Sequence, residues 1–256
     1  MEWKVSVLED NKNLVLKTAL LAGRIMMESG SEAYRVEDTM QRIAYNSKKL
    51  DTESYVTATG IFMSINDEST SQMVQARDRS INLGKIEQTN RYSREYAQGN
   101  ISLIYLYKAL QSVDLQIPEF QAVARMLAAG VASCVLMILL GGIYSDIIAA
   151  FIIGSIGYFL SSRIYHITQM KFFNDLIASF VICTLSVVGY RMGMVGNLDS
   201  LIIGCLMPLV PGLAITAGMR DLFEGHLLTG MVRIVEAILI STVIGIGIAL
   251  TLQWFT

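Results

Sequence analysis

The pattern of apolar and polar positions divides the chain into a charged first half and a second half of long apolar runs. Residues 1–118 carry 14 Lys and Arg with 15 Asp and Glu, whereas residues 119–256 carry 6 and 7. Because about 20 apolar residues in a helix cross the ~30 Å hydrocarbon core of a bilayer, such runs predict membrane spans. Five runs are long enough, at roughly 120–142, 146–162, 172–190, 198–218 and 228–255.

The two halves predict two domains of different class. Residues 1–117 combine segments of helical spacing with a stretch rich in β-branched residues, which predicts an α+β domain. Residues 118–256 are expected to form an all-α polytopic membrane domain with five transmembrane helices. The N-terminus, MEWKVSVLED, is acidic and has no apolar core of the length that a signal peptide needs. We therefore expect the first domain to be cytosolic.

Two helices are expected near the start of the first domain. Lys12 to Glu28 carries apolar residues at helical spacing, and Ser29-Gly30 ends that pattern. A second helix should follow, for which Ser29 and Glu32 fit a capping box. The segment Glu28 to Asp38 is polar, and two interpretations stay open. It is either a surface that binds a solute or a partner, or the solvated face of a capped helix.

A β-hairpin is expected next. Tyr55 to Ile65 (YVTATGIFMSI) is rich in β-branched and aromatic residues, which predicts one strand, bent at Gly60. Turn residues over Asn66 to Ser71 precede a second predicted strand, Gln72 to Arg79. Two further helical stretches complete the domain, and Pro118 marks its join to the membrane domain.

The charges of the short loops predict an orientation. With the first domain in the cytosol, four basic residues fall in cytosolic loops, namely Arg163, Lys171, Arg220 and Arg233. Arg191 falls on the opposite side. Because Lys and Arg concentrate in cytoplasmic loops, we expect the N-terminus inside and the C-terminus outside.

Composition sets several classes of function aside. The net charge is −2 and no basic cluster is interleaved with aromatic residues, so no nucleic-acid partner is expected. The sequence has no recognisable nucleotide-binding loop, metal-ligand cluster or activated nucleophile, so neither a cofactor nor a metal is expected. The cysteines lie far apart in apolar runs, which predicts inert thiols, at Cys134, Cys183 and Cys205.

The most informative stretch is MPLVPG, inside the predicted fourth span. Pro208 and Pro211 lack amide donors, and Gly212 follows them directly. Two interpretations are open. The prolines form either a kink that only shapes packing, or a broken helix of the kind with which transporters bind their substrates.

Ionisable residues follow this stretch. Arg220, Asp221 and Glu224 come first, and Arg233 and Glu236 lie one turn apart at the beginning of the fifth span. Ionisable side chains in membrane segments are costly, so they tend to pair or to face a cavity. A structural pair of Arg233 with Glu236 and a role of both in a pathway are equally open.

Four segments resemble the threonine/serine exporter family. They are AGRIMMESGSEAYRVEDTMQRIA (22–44), ATGIFMSI (58–65), INLGKIEQTNRYSR (81–94) and MPLVPGLAITAGMRDLFEGHLLTGMVRIVEA (207–237). The resemblance covers nearly the full chain, and the two long motifs stand in the family's order.

The resemblance implies a secondary exporter of small carboxylate-bearing metabolites in the bacterial plasma (inner) membrane. Threonine, serine or a dicarboxylate such as succinate would be exported, together with a separate small membrane subunit of the same family. Whether the chain also forms a homo-oligomer is left open. The positions that match the family motif, and so are expected to line the substrate pathway, are Pro208, Pro211, Gly212, Thr216, Arg220, Asp221, Arg233 and Glu236.

Two positions depart from the family pattern. Ala217 stands where the family often has Asn, and His226 where it often has an acidic residue. Either difference could change the substrate or the coupling ion. Glu236 is the candidate proton carrier. Two functions of other classes remain as alternatives, a membrane-anchored hydrolase and a non-catalytic subunit that senses a solute or serves as a scaffold.

Overall fold

The computed structural model describes residues 2–47, 51–65, 71–76, 80–116, 121–168 and 171–255. Side chains are described from residue 12 onward, except those of His166 and Lys171. Three predictions therefore lie outside the described residues: the turn over 66–70, the last residues of the second strand and the join at Pro118.

The described part of the chain is mostly helical, with one small sheet. The helices are α1 Glu2–Glu28, α2 Ala33–Asn46, α3 Leu83–Ala97, α4 Leu103–Asp114, α5 Ala122–Leu139, α6 Ile147–Thr168, α7 Lys171–Arg191, α8 Leu198–Leu206, α9 Gly212–Phe223 and α10 Leu227–Phe255. The strands are β1 Thr52–Val56, β2 Gly60–Ile65 and β3 Ser71–Gln75. Short 3-10 helices cover Tyr144–Asp146 and Met207–Leu209.

Internal packing divides the chain into two compact units. The first unit contains residues 1–118 together with Leu213–Ile234. The second unit contains residues 119–212 and 235–256. Most of α9 and the beginning of α10 thus pack with the N-terminal helices and the sheet. The division into domains at residues 117 and 118 stays a prediction.

The first helix ends where the sequence predicts. Gly30 has a positive φ of 89°, which glycine adopts at little cost. The amide of Ser31 donates to the carbonyl of Met26 over 3.0 Å, and that of Gly30 donates to Met27 over 3.2 Å. These are the two hydrogen bonds of a Schellman motif, so the predicted end of the helix at Glu28 is confirmed.

The expected capping box is wrong. Glu32, not Ser29, occupies the N-cap position of α2, and its side chain makes no capping hydrogen bond. The first amide of the helix, that of Ala33, instead donates to the carboxylate of Asp221, 188 residues later in the chain. The start of α2 is therefore capped by a residue from a distant part of the chain, although Ser29 and Glu32 fit a local capping motif.

The sheet has three antiparallel strands in the order β1-β2-β3. The single bent strand predicted over Tyr55 to Ile65 is wrong, because this segment folds back on itself. The Thr57 amide donates to the Gly60 carbonyl over 2.8 Å, and the Gly60 amide donates to Thr57 Oγ1 over 3.0 Å. These bonds close a tight turn, so that Val56 pairs with Ile61. The predicted hairpin with the following strand is confirmed by the pairing of β2 with β3.

The core of the first unit lies between the sheet and the helices that surround it. Its largest fully buried side chains come from α1, α2, β2 and α4, and include Leu16, Leu20, Met40, Ile43, Ile61, Met63, Leu106 and Leu110. Each such side chain contributes roughly 1.5–3 kcal/mol on burial. This core fixes the end of α1 and the start of α2, where the charged residues described below converge.

The second unit is held together by small residues that allow close helix contacts. A Cβ atom at Gly154 of α6 would lie 2.1 Å from Ser133 Oγ of α5, and one at Gly157 would lie 2.3 Å from Ile182 of α7. Small residues at helix contacts are typical of membrane bundles, where backbones approach closely.

Four helices of the described chain are long and apolar enough to cross a membrane. They are Ala122–Leu139, Tyr144–Tyr165, Phe172–Arg191 and Leu227–Phe255. The predicted fourth span is instead a pair of helices, Leu198–Leu209 and Gly212–Phe223, bent by 58° at a short break. The number of spans is five if this pair counts as one, and four otherwise. The predicted interruption of the helix at MPLVPG is confirmed.

Gly204→Ala in α8 should destabilise the protein. The new Cβ would lie 2.7 Å from Met137 Cα and 2.8 Å from its backbone nitrogen, neither of which can move as a side chain does. We expect a lower melting temperature in detergent, from a loss of about 1–3 kcal/mol. Gly245→Ala in α10 is the matched control, because a Cβ there meets nothing within 4 Å. Equal melting temperatures for the two variants would contradict this close packing.

Candidate functional site

The candidate site is a group of charged residues in the first unit, which we call the charge network. Its members come from the connection between α1 and α2, the first turns of α2, and a hairpin formed by α9 and the beginning of α10. They are Glu32, Arg35, Glu37, Arg220, Asp221, His226 and Arg233.

Glycines let α9 and α10 approach closely enough to present these charges together. Gly225 turns the chain with a φ of 88°, and the His226 amide donates to the Asp221 carbonyl over 2.9 Å. A Cβ at Gly230 would lie 2.8 Å from the carbonyl oxygen of Gly218. The two helices therefore meet almost backbone to backbone at this position, which places Asp221 of α9 beside Arg233 of α10.

A buried ion pair forms the centre of the charge network. The side chains of Asp221 and Arg233 are 0% and 7% exposed, and Arg233 Nε lies 3.5 Å from Asp221 Oδ2. The other carboxylate oxygen, Oδ1, accepts a 2.8 Å hydrogen bond from the amide of Ala33. Arg233 also donates to the carbonyl of Ser31 over 2.6 Å. The pair thus joins the α9–α10 hairpin to Ser31, in the connection between α1 and α2, and to the first residue of α2.

The position of Asp221 is favourable for a negative charge. The first amides of a helix lack partners within it and carry partial positive charge, so a carboxylate there both accepts a hydrogen bond and neutralises that charge. Asp221 Oδ2, in contrast, is buried with no hydrogen bond from any described residue, and its 3.5 Å contact with Arg233 is an ionic one. The carboxylate therefore depends on Arg233 for its remaining stabilisation.

A second, more exposed part of the charge network surrounds Glu32. Its Oε2 lies 3.2 Å from Arg35 Nη1, and its Oε1 lies 2.9 Å from Arg220 Nη1. Burial alone would raise the pKa of Glu32, but a backbone hydrogen bond and the charges of Arg35 and Arg220 outweigh it and hold this pKa below the usual value. The Arg220 side chain is 57% exposed. One carboxylate is thus shared by two guanidinium groups that solvent can reach.

The third part of the charge network pairs Glu37 with His226. Glu37 Oε2 lies 3.8 Å from His226 Nε2, and its Oε1 accepts a 3.1 Å hydrogen bond from the amide of Val56. Thr229 of α10 donates to the carbonyl of the same Val56 over 3.3 Å. Burial raises the pKa of Glu37, although the His226 charge and the Val56 amide partly oppose this. These contacts attach the hairpin to the end of strand β1.

The structure brings together three of the eight residues expected in the substrate pathway. Arg220, Asp221 and Arg233 meet in the charge network. Thr216 is exposed on α9, where its hydroxyl donates to the carbonyl of Leu213 within the same helix. Glu236 is half-buried in α10, one turn after Arg233.

The remaining three expected residues lie at the break between α8 and α9. Pro208 belongs to the 3-10 helix that ends α8, Pro211 follows it, and Gly212 begins α9. The Gly212 amide donates to the carbonyl of Val210 over 2.8 Å. A Cβ at Gly212 would meet no atom of a described residue within 4 Å.

Sequence reasoning missed the acidic partners at the start of α2, Glu32 and Glu37, and the role of His226. Glu32 and Glu37 belong to the polar segment 28–38, for which a solute-binding or partner-binding surface was one interpretation. In the structure this segment binds another part of the same chain, the α9–α10 hairpin. One feature of the sequence could have indicated this contact. Both long motifs that resemble the family, 22–44 and 207–237, are charged, which favours a contact between them.

Asp221→Asn should destabilise the first unit strongly. The substitution breaks the buried ion pair of Asp221 with Arg233, and removing one partner of such a pair typically costs about 3–5 kcal/mol. We expect a large fall of the melting temperature in detergent, and a loss in the double variant Asp221→Asn/Arg233→Met that is smaller than the sum of the two single losses. Arg220→Gln is the matched control, since its exposed pair should contribute at most about 1 kcal/mol. Additive losses would contradict direct coupling of the pair.

The raised pKa of Glu37 predicts a pH dependence of stability. Because the folded state binds this proton more tightly than the unfolded state, stability should fall as pH rises from the ordinary value of 4.5 through the raised pKa. Glu37→Gln should remove that decrease, measured as melting temperature between about pH 4 and pH 7. Glu32 acts in the opposite direction and at lower pH, because its pKa is lowered. Glu224→Gln, at an exposed carboxylate that follows α9, is the control, and an equal effect of both variants would refute the assignment.

Comparison with known proteins gives the family. The chain matches the family model of threonine/serine exporters over residues 17–255. A Mycobacterium tuberculosis protein named "Probable threonine/serine exporter" is 23% identical over 251 residues, which cover 94% of this chain and 46% of that protein. A Klebsiella aerogenes protein named "Probable succinate transporter subunit YjjP" is 20% identical over 257 residues, covering 95% of this chain and 96% of that protein. No solved structure matches.

The chain thus spans about half the length of the first relative and nearly all of the second. The family match includes every residue of the charge network and all the apolar helices long enough to cross a membrane. This chain is therefore a multi-pass membrane protein that belongs to the threonine/serine exporter family, a family of transporters.

Proposed function

We propose that the protein exports small carboxylate-bearing metabolites, either threonine and serine or a dicarboxylate such as succinate, as a secondary transporter. The exposed guanidinium of Arg220, which shares the carboxylate of Glu32 with Arg35, is the observation that carries this proposal. Arginine pairs well with carboxylates because its donors match their two oxygens. A substrate carboxylate can therefore take the place of Glu32 at Arg220 without leaving a cation unpaired.

The broken fourth segment supports transport as the reaction. Pro211 and Gly212 interrupt the helix where a membrane span would otherwise continue, and the ionisable residues of α9 follow within three turns. Transporters use such interruptions to expose backbone groups and helix ends to a substrate. In the proposed mechanism the substrate exchanges onto Arg220, while the buried pair of Asp221 and Arg233 holds α9 and α10 together.

Glu236 is the proposed proton carrier. It lies half-buried in α10, within a helix that is long and apolar enough to cross a membrane. A carboxylate in such a segment changes its charge when it takes up a proton, which can couple substrate movement to a proton gradient. The proton is thus held on the helix that also carries Arg233.

The proposed setting is the bacterial plasma (inner) membrane, with the N-terminus in the cytosol and the C-terminus outside. The basic residues of the loops favour this orientation. A separate small membrane subunit is the proposed partner, since the Klebsiella aerogenes relative is named a subunit and has nearly the same length as this chain.

Flux measurements test the proposal. The purified chain is reconstituted into proteoliposomes with and without a small subunit of the family, and the efflux of labelled threonine, serine and succinate is followed. We expect export with the subunit present. Arg220→Gln should slow it about tenfold or more, because a charge-assisted hydrogen bond to the substrate is lost. Glu236→Gln should reduce the stimulation of export by a proton gradient.

Arg94→Gln is the matched control, because Arg94 is an exposed arginine of α3 outside the charge network. It should leave export unchanged. Wild-type export by Arg220→Gln at normal protein levels would remove Arg220 from the pathway. Absence of flux for all three solutes, with the subunit present, would refute the proposed substrates.

A further inference from the structure

A groove in the first unit shares no residue with the charge network. It lies between α1, β3 and α4 and has a volume of about 470 Å³. Small-molecule sites commonly have volumes of roughly 300–1,000 Å³. Leu21 and Val74 are half-buried and supply apolar surface. The groove therefore has the size and the apolar floor of a site for a small solute.

Two cations of α1 line this groove. Lys17 and Arg24 are seven residues apart, which places them on the same face of the helix, two turns and about 10.5 Å apart along its axis. Arg24 donates to Asp114 of α4 over 2.6 Å. Lys17 is exposed and has no ion pair with a described residue. Arg24 is thus already paired with one carboxylate, whereas Lys17 is available to a ligand.

The charge of the groove is positive. Among the described residues that line it, Asp114 is the one acid, against the two cations of α1. A third cation, Lys85, donates to the backbone carbonyl of Asp114 over 2.7 Å. The side chain and the backbone carbonyl of Asp114 therefore already have cationic partners. Because one acid stands against two cations among the described lining residues, the groove keeps a net positive charge. This balance favours an anion over a neutral or cationic solute.

We propose that this groove binds a small aliphatic dicarboxylate. One carboxylate pairs with Lys17 and the other with Arg24, while the methylene groups between them contact Leu21 and Val74. Lysine and arginine side chains are long and flexible, so Lys17 and Arg24 can both reach the carboxylates of one molecule of four to six carbons. A molecule with a single carboxylate cannot bridge the two cations. A zwitterionic amino acid fits less well, because its ammonium group adds positive charge where Asp114 is already paired.

This binding proposal does not depend on the transport function proposed above. It is tested with the purified full chain in detergent, by titration calorimetry at constant ionic strength. The probes are succinate, propionate with one carboxylate, and threonine. We expect succinate to bind at least about tenfold more tightly than either of the others, since only succinate engages both cations.

Lys17→Gln is the decisive variant, because Lys17 is exposed and its loss leaves no described partner unpaired. It should weaken succinate binding about tenfold, and Lys17→Arg should restore it. Lys108→Gln, at an exposed lysine of α4 outside the groove, is the control and should bind succinate as the unsubstituted chain does.

Three outcomes would overturn the proposal. They are no succinate binding at millimolar concentration, equal binding of succinate and propionate, and full succinate binding by Lys17→Gln. The last outcome would mean that succinate binds elsewhere, such as in the transport pathway. Loss of binding by Lys17→Gln together with unchanged export would leave the transport proposal intact, and absence of export with retained binding would refute only that proposal.

Discussion

The buried contact between Asp221 and Arg233 is the interaction on which the first unit most depends. Two opposite charges removed from water stabilise each other only while both are present, so neither residue can be lost alone. The pair also supplies hydrogen-bond partners to two backbone groups near it. Asp221 satisfies the first amide of α2, and Arg233 binds the carbonyl of Ser31 after the end of α1. A single ionic contact thus caps the start of α2, binds the connection between α1 and α2, and attaches the α9–α10 hairpin.

Elements whose causes are local could be predicted from the sequence. The end of α1 follows from Ser29-Gly30, because only glycine adopts the required backbone conformation at little cost. The interruption at MPLVPG follows from two missing amide donors in an apolar run. The extra turn between β1 and β2 could not be found from composition, since YVTATGIFMSI has strand-forming residues on both sides. It depends on the hydroxyl and amide of Thr57, which reach across to Gly60.

The candidate site could be predicted only in part, for a physical reason. Arg220, Asp221 and Arg233 stood out because charge is rare in apolar segments. Their partners Glu32 and Glu37 did not, because they lie at the start of an ordinary charged helix, where acidic residues are common. The ion pair of Glu32 with Arg220, which lies far away in the sequence, is evident only from the folded structure. Arg233 illustrates the same limit, since its partner Asp221 comes from the preceding helix and could not be found from spacing along a single helix.

The discontinuous first unit has a consequence for how the protein is made. Residues 119–212 are synthesised between its two parts, which takes about 5–20 s at usual elongation rates. During that interval the amide of Ala33 and the carbonyl of Ser31 have been translated, but Asp221 and Arg233 do not yet exist. The N-terminal segment therefore lacks these two contacts until the α9–α10 hairpin leaves the ribosome. The hairpin does so only after most of the apolar helices have been synthesised.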